Sequence, residues 1–521
     1  GRLPDPERHS HSMNAEPILI GADVGTTNIK VVAFDRSGRA LEGASSPTPT
    51  HYPGPGRAHY DPEELWNSFA TTLRRVTEKL DDPGRVASIA VASMGEAAVP
   101  LDSSGRPTHD IIAWFDGRAG PQAERLGRVA GQDRLFGLTG LSLQPIFGLC
   151  KLLWLKENEP DAYSRTATWL NVADYMAFRL CGVAATDYSL ASRTLALDLH
   201  DLRWAGELLE EVGVPQDLFA PLRGGGSFLG PVTPDAASAT GLPESSVVAA
   251  GGHDHVCGAL AVGVTQKGTM LNSLGTAEAI FLPLERPLTD PKVGHQGYTQ
   301  GAHVAGQYYV FGGQYTSGAS VEWVREVLGG VDYDTLISEA EEVPPGSLGA
   351  FFLPHLRLAN PPYDDPAARG AFVGLSTDVG RGALFRAVLE GLAYDSRNSL
   401  EPLLAHSGLD GLLAIYAIGG GAQNRLLMRI KATVSNQAIT VVGVEEATSL
   451  GAAILGGIGA GVYADVPSAL DELRYDESTV EPVPDEVSFY EAAFRKVYGR
   501  LYPSLRGVHH EIQDLQSQHF S

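Results

Sequence analysis

The chain has 521 residues, 43% of them hydrophobic and 19% charged, an ordinary globular balance on more chain than one core normally supports, so two large domains are expected. A formal net charge of −23 repels phosphate backbones and anionic lipid, which excludes nucleic acid and membrane surfaces as expected partners. The three cysteines, at 150, 181 and 257, form no CxxC pair, and no run of 18 apolar residues occurs; a cytoplasmic protein without disulfides or a transmembrane helix is expected.

Residues 1–15 are polar, lack the apolar stretch of a secretion signal and read as a tag remnant or a disordered leader, with Met13 a candidate start. From Ile18 to Ile20 an apolar run leads into Gly21-Ala22-Asp23-Val24-Gly25-Thr26-Thr27, and a second β-like run covers Ile29 to Phe34. The pattern predicts strand, Gly/Thr turn, strand; the GxxxxGK[ST] pattern of a Walker loop is absent. A tight turn of this kind bares backbone N–H groups, and threonine hydroxyls add donors, so Gly25, Thr26 and Thr27 are candidates to hold phosphate oxygens. Asp23 is the candidate Mg²⁺ residue.

A helix is predicted from Asp61-Pro62-Glu63-Glu64 through Val76, with an N-cap, proline in the first turn and early acids, and Val86 to Ala92 reads as a buried strand. After Ile111-Ile112-Ala113 comes Trp114-Phe115-Asp116-Gly117-Arg118, in which the indole can stack on a sugar face while Asp116 and Arg118 bind hydroxyls; the plain alternative is a strand end with a surface ion pair. Alternating β and α patterns run to about 250. Small residues then surround His253-Asp254-His255, where Asp254 is a candidate base for a substrate hydroxyl and His253 a substrate contact. A metal site and a purely structural His-Asp pair are the other readings.

The opening pattern returns as Met270-Leu271-Asn272-Ser273-Leu274-Gly275-Thr276, running on to Phe281, about 250 residues after the first and with Gly275 and Thr276 as a second pair of phosphate candidates. The repeat predicts duplicated domains facing each other across a nucleotide. Leu412 to Ile418 is a predicted strand; Gly419-Gly420-Gly421 then allows close approach of a ligand, and a helix follows from Asn424, making Gly420, Gly421 and Asn424 candidates for the adenosine side. The end of the chain reads as helical from Pro482 to about Leu501, then as a frayed polar tail. The expected division is 16–256 for a substrate and Mg²⁺ domain, 257–500 for a nucleotide domain and 501–521 for the tail.

Taken in order, these segments resemble the FGGY carbohydrate kinases, a family that includes xylulokinase, glycerol kinase, gluconate kinase and ribulokinase. Asp23-Val24-Gly25-Thr26-Thr27 with Lys30 is similar to its first phosphate motif, Trp114 to Arg118 to its W-x-D-x-R substrate segment, and Gly252-His253-Asp254 to the segment of its catalytic aspartate. Lys151 to Asn158 and Gly370 to Gly391 resemble its two sequence patterns, apart from Gly148 and Ala383, and Ser273 to Thr276 its second phosphate motif. Gly419 to Asn424 with Glu446 to Ala453 resembles its nucleotide-side closing segment. The resemblance implies an α/β fold of two ribonuclease H-like (actin-like ATPase) domains around a cleft, ATP and Mg²⁺ as cofactors, Lys30 among the nucleotide contacts, and a homodimer by analogy. Xylulokinases carry Met-His before the W-x-D-x-R segment, whereas Glu96 stands about where that histidine would be.

The expected activity is therefore ATP-dependent phosphorylation of a hydroxyl on a neutral ketose such as xylulose, or on a polyol. Glu96, Asp116 and Asp254 would set three carboxylates near the acceptor and disfavour an acid group. A gluconate-type sugar-acid kinase and a non-catalytic actin-like nucleotide-binding protein are the alternatives.

Overall fold

Strand β1 (Ile18–Val24) is buried along almost its whole length and pairs with β2 (Asn28–Phe34) as an antiparallel hairpin, so the first predicted turn shortens to Gly25–Thr27. In this computed structural model, which describes residues 16–520, the expected leader at 1–15 lies outside the described residues. Strand β3 (Ala40–Pro47) extends the hairpin, and helix α1 (Pro62–Thr77) covers it; the Asp61 side chain accepts from the Glu63 and Glu64 amides, the predicted cap. Strand β4 (Val86–Ser93) lies parallel to β1. After helix α2 (Gly148–Asn158), β5 (Phe228–Pro231) and β6 (Val247–His253) complete a six-stranded sheet of order β5-β6-β4-β1-β2-β3.

Helix α3 (Asp254–Ala261) carries the chain across the expected boundary at 256/257, and a second sheet begins. Its strands are β7 (Thr269–Leu274), β8 (Glu278–Leu284), β9 (Thr299–Ala302), β10 (Tyr308–Gln314), β11 (Ala414–Ile418), β12 (Ile439–Val442) and β13 (Glu477–Val480). They lie in the order β9-β10-β8-β7-β11-β12-β13. Within the two sheets the cores β3-β2-β1-β4-β6 and β10-β8-β7-β11-β12 share one plan: an antiparallel three-strand meander, then two parallel strands beside its first strand. Each half is thus a ribonuclease H-like domain, and the repeated Gly-Thr turns occupy equivalent hairpins.

Helix α4 (Gly318–Val327) caps the second hairpin from beyond its turn, with the Gly318 amide donating to Gly275 O at 3.1 Å and the Ala319 amide to Thr276 O at 3.1 Å. Helix α5 (Arg425–Ser435) follows the triglycine turn. Helix α6 (Ala447–Gly459), within the segment that resembles the family's nucleotide-side closing segment, lies against β1, β4 and β6 of the first sheet and against α3. Glycines make this possible. A Cβ on Gly21 would lie 1.7 Å from Ser449 O, and one on Gly451 would lie 1.9 Å from Cys257 O. The two halves therefore share one core, in which Leu260, Leu450, Ile454 and Leu455 are buried together.

The expected polar tail is corrected. Helix α7 (Gly499–Phe520) runs through it, with Leu501 and Tyr502 buried in the second core and His510 2.6 Å from Asp365. Polar composition hid a helix whose apolar positions are needed only on its inner face.

Replacing Gly451 by Ala should force α6 off α3 and destabilise the protein by about 1–3 kcal/mol or more, read as a lower urea midpoint. Gly258→Ala, whose Cβ would meet Thr448 Oγ1 at 3.7 Å, an ordinary contact, should leave the midpoint unchanged or raise it.

Candidate active site

Between the two Gly-Thr hairpins lies a cavity of about 510 Å³, lined from the first half by Thr26, Glu96, Trp114, Arg193, His253 and Asp254 and from the second by the Ser273–Ala279 hairpin. Parallel strands β1, β4 and β6 end together, so Asp23, the Met94–Glu96 loop and Asp254 emerge at one edge of the first sheet. The equivalent edge of the second sheet carries Gly275–Thr276 after β7 and the Gly419–Gly421 turn after the adjacent β11. A Cβ on Gly419 would meet Leu274 O at 2.5 Å, which holds the triglycine turn directly against the second hairpin.

Asp23 is half-buried at the end of β1, and its Oδ1, shut away from solvent, has no hydrogen-bond partner among the described residues. Burial, with the charges of Asp254 and Glu446 adding and Lys30 opposing, pushes its pKa up to about 8. Lys30, opposite Asp23 in the hairpin, turns outward instead: its Nζ lies 2.9 Å from both carboxylate oxygens of Glu446, at the start of α6. Lys30 therefore links the first hairpin to α6 and does not line the cavity.

Asp254 is the first residue of α3. Its Oδ1 lies 3.2 Å from His253 Nε2 and accepts from the His255 amide at 2.6 Å. Burial raises its pKa, with the Glu96 charge adding and His255 and Arg193 opposing. His253 is 7% exposed, and burial first, then the nearby His255 and Arg193 charges, hold its imidazole pKa well below the usual histidine range. A neutral imidazole thus adjoins a carboxylate that has no Lys or Arg ion-pair partner among the described residues.

Glu96 stands in the left-handed region at φ 59° on the tip of the β4 loop. Its Oε1 accepts from Arg193 Nε at 2.6 Å, and Arg193 Nη1 donates to Thr299 Oγ1 on β9 at 3.1 Å. Gly95 precedes it for lack of room: a Cβ there would sit 3.0 Å from both Arg193 and His253. Arg193 is a cavity residue that sequence reading missed, because it enters from a short turn about 100 residues away with no local pattern around it.

The W-x-D-x-R segment divides. Trp114 lines the cavity and donates its indole N–H to Thr26 Oγ1 at 2.8 Å. Asp116 and Arg118 do not line it. Asp116 is 0% exposed, takes the Ala58 amide at 2.7 Å and is gripped by Arg118 through its amide, Nε and Nη2, while the guanidinium stacks 5.0 Å over Trp154. The pair is an internal clamp behind Trp114. The expected trio of acceptor carboxylates is corrected accordingly: Asp116 is inside the protein, Glu96 is paired with Arg193, and Asp254 faces the cavity beside His253 and His255, 4.0 Å from the latter, with no Lys or Arg pair among the described residues.

On the second side, Gly275 and Thr276 line the cavity, whereas Gly420 and Gly421 do not: Gly421 lies against Leu274 of the second hairpin, and Gly420 is exposed with open space beside it. Asn424 caps α5, its Oδ1 accepting from the Leu427 amide at 3.0 Å. Gly25 and Thr27 shape the first turn, in which the Gly25 amide donates to Asn28 O at 3.0 Å and Thr48 Oγ1 donates to Gly25 O at 2.7 Å. Glu278 was also missed. It is buried at the foot of the second hairpin and meets Lys431 at 2.8 and 2.9 Å, Asn272 at 2.9 Å and Ser396 at 2.7 Å. The signal was present in the sequence as one acid in an otherwise apolar strand.

Residues 18–261 match the model of the N-terminal domain of the FGGY family of carbohydrate kinases, and residues 270–460 match that of its C-terminal domain. The chain is 26% identical to the xylulose kinase of Bacillus subtilis (strain 168), over 96% of this chain and 99% of that one. It is 31% identical to the glycerol kinase of Citrifermentans bemidjiense, over 85% and 90%. The crystal structure of a xylulose kinase from Rhodospirillum rubrum superposes with a TM-score of 0.86 at 28% identity, covering 95% of this chain and all of that one. With both family domains matched in order and the fold shared over nearly its whole length, the chain belongs to the FGGY family of carbohydrate kinases.

Proposed function

We propose that this kinase phosphorylates a hydroxyl group of a neutral ketose or polyol, a pentulose such as xylulose foremost, with Asp254 as the base that accepts the hydroxyl proton. The observation that carries the reading is the Asp254 carboxylate: it faces the cavity with His253 and His255 beside it and no Lys or Arg ion-pair partner among the described residues, between the turn at Thr26 and that at Gly275–Thr276. The phosphoryl group passes in line from ATP to the acceptor oxygen, and catalysis comes mainly from placement and charge stabilisation. A base within hydrogen-bond reach typically contributes about 10²–10⁴-fold.

A neutral acceptor is supported by the lining. Among the described residues Arg193 is the one lysine or arginine along the cavity, and Glu96 already balances it. An aldonate carboxylate would find no free cation there and would face Asp254. Trp114, held by its bond to Thr26, offers an apolar face for a sugar ring or chain.

The residues fit a Mg²⁺–ATP complex. Asp23 supplies a buried carboxylate oxygen with no protein partner, and Mg²⁺ typically takes one or two carboxylates along with waters and nucleotide phosphates. When bound, the ion would neutralise phosphate charge. The backbone of Gly25–Thr27 and Gly275–Thr276 would hold phosphate oxygens, and Gly420 and Gly421 would leave room for the adenosine.

Among xylulose, ribulose, erythrulose, erythritol, glycerol, fuculose and gluconate, ADP release should be fastest with a neutral acceptor; gluconate as the best substrate would sink the charge argument, and acceptor-independent ADP release would favour a plain nucleotide-binding ATPase. Asp254→Asn should bind ATP normally and lose at least about two orders of magnitude in kcat. Because the Asp254 pKa is raised, the wild-type kcat should fall as pH drops through a value above the ordinary aspartate range, where the carboxyl becomes protonated and can accept no further proton; a flat profile down to pH 4 would remove Asp254 from the role. Asp23→Asn should raise the Mg²⁺ concentration needed for half-maximal rate at least about tenfold, and an unchanged requirement would free Asp23 of that assignment.

A further inference from the structure

We infer that Lys151 is the positioning residue of the acceptor site, its buried ammonium group holding the Glu96 loop and the strand end before Trp114 at the separation that receives the sugar. The inference rests on the reading of the cleft given above. Lys151 lies on α2 and is 0% exposed. Its Nζ donates to Glu96 O at 2.7 Å, Ala113 O at 2.8 Å and Ile112 O at 3.3 Å. All three partners are backbone carbonyls, and they come from the two segments that present the acceptor-side residues of the cavity.

The first segment ends in Glu96, whose left-handed backbone aims its carboxylate at Arg193. The second runs straight into Trp114, whose indole reaches Thr26 on the phosphate turn. One nitrogen thus spans the Glu96–Arg193 pair on one side and the Trp114–Thr26 bond on the other. An ammonium carries three N–H donors and no lone pair, so three converging carbonyls use it fully. A neutral amine would turn a lone pair toward one of those oxygens.

Packing alone gives no reason for a charge here. Met or Leu would fill the volume without the desolvation penalty of a buried ammonium. Burial draws the Lys151 pKa down to about 7, against the attraction of Glu96 and Asp116, so the charge is held at a cost. What the ammonium adds over a methyl group is direction: it fixes the Glu96 peptide, whose φ of 59° a non-glycine residue rarely adopts. Without it the peptide is free to rotate and carry Glu96 away from Arg193, and displacements of about 1 Å at such sites alter rates by about 10²-fold.

The test separates the two substrates. Lys151→Met should raise the KM for the acceptor about tenfold or more while leaving the KM for ATP within about twofold; a residue serving stability alone would lower the unfolding midpoint and move neither KM selectively. Glu96→Gln is the companion variant. If it raises the acceptor KM and Lys151→Met does not, the positioning role falls and the cleft assignment stands; if neither variant moves it, the cleft assignment falls too. Should Lys151→Met fail to fold, Lys151→Ala is assayed with propylamine and, separately, with 1-propanol, each replacing the lost atoms. Rescue of the acceptor KM by the amine and not by the alcohol supports the role. Equal rescue by both, or rescue by neither, overturns it in favour of simple packing.

Discussion

Everything at the active site depends on the glycine-mediated contact between α6 and the first sheet. With Gly21 of β1 facing Ser449 O, and Gly451 of α6 facing Cys257 O on α3, α6 approaches both the sheet and α3 at backbone distance, closer than any side chain would allow. That contact draws a helix of the second half into the core of the first and makes α3 and α6 neighbours across the join. The C-terminal ends of β1, β4 and β6 are then presented to the hairpin at Gly275 across a space of about 510 Å³. A wider join would set the two Gly-Thr turns further apart across that space. The Lys30–Glu446 pair crosses the same join, but both side chains are about one-third exposed, and ion pairs of that kind contribute only about 0.2–1 kcal/mol. The backbone contact carries the arrangement.

Within this frame the site collects charges that its burial disfavours. Asp23 and Asp254 are both pushed toward the neutral form, and Lys151 likewise. Such groups persist where an incoming ligand completes them, or where their direction matters more than their desolvation. Glu96 and Arg193 resolve the same conflict by pairing, which leaves the acceptor end of the cavity formally neutral on that side. The Glu96 side of the cavity is thereby left without net charge, while Asp254 faces it from the start of α3.

The sequence made the strand-turn-strand repeats, the α1 cap and the strand before Gly419 legible because each rests on local chemistry: apolar period, a short polar cap, glycine at a turn. Asp254 was legible for the same reason, as an acid among small residues at a strand end. What stayed hidden was long-range. Asp116 and Arg118 form a compact pair in sequence, and nothing local says that Ala58, 58 residues earlier, closes over the carboxylate and seals it inside. Arg193 reaches Glu96 across 97 residues, so the neutralisation that undoes the three-carboxylate count had no local trace. The packing of α6 on the first sheet had no local trace either, because Glu446 to Ala453 follows strands of the second sheet in the chain and leaves them in space.

The duplicated hairpins also show how one turn came to serve two purposes. Asp23 stands two residues before Gly25, and Ser273 stands two residues before Gly275. The first hairpin thus keeps a buried carboxylate oxygen unpartnered and available to a cation, while the second has a hydroxyl in the equivalent place. The buried acid of the second hairpin is Glu278, on the far side of the turn, and its oxygens are taken by Lys431, Asn272 and Ser396. That network ties β7, β8, α5 and the helix bearing Ser396 into a rigid foot beneath Gly275–Thr276, so the second turn holds its shape without an ion. Two hairpins of one topology therefore differ in their buried acid: the first presents an unpartnered carboxylate oxygen near Asp254, and the second locks its acid into a network beneath the turn.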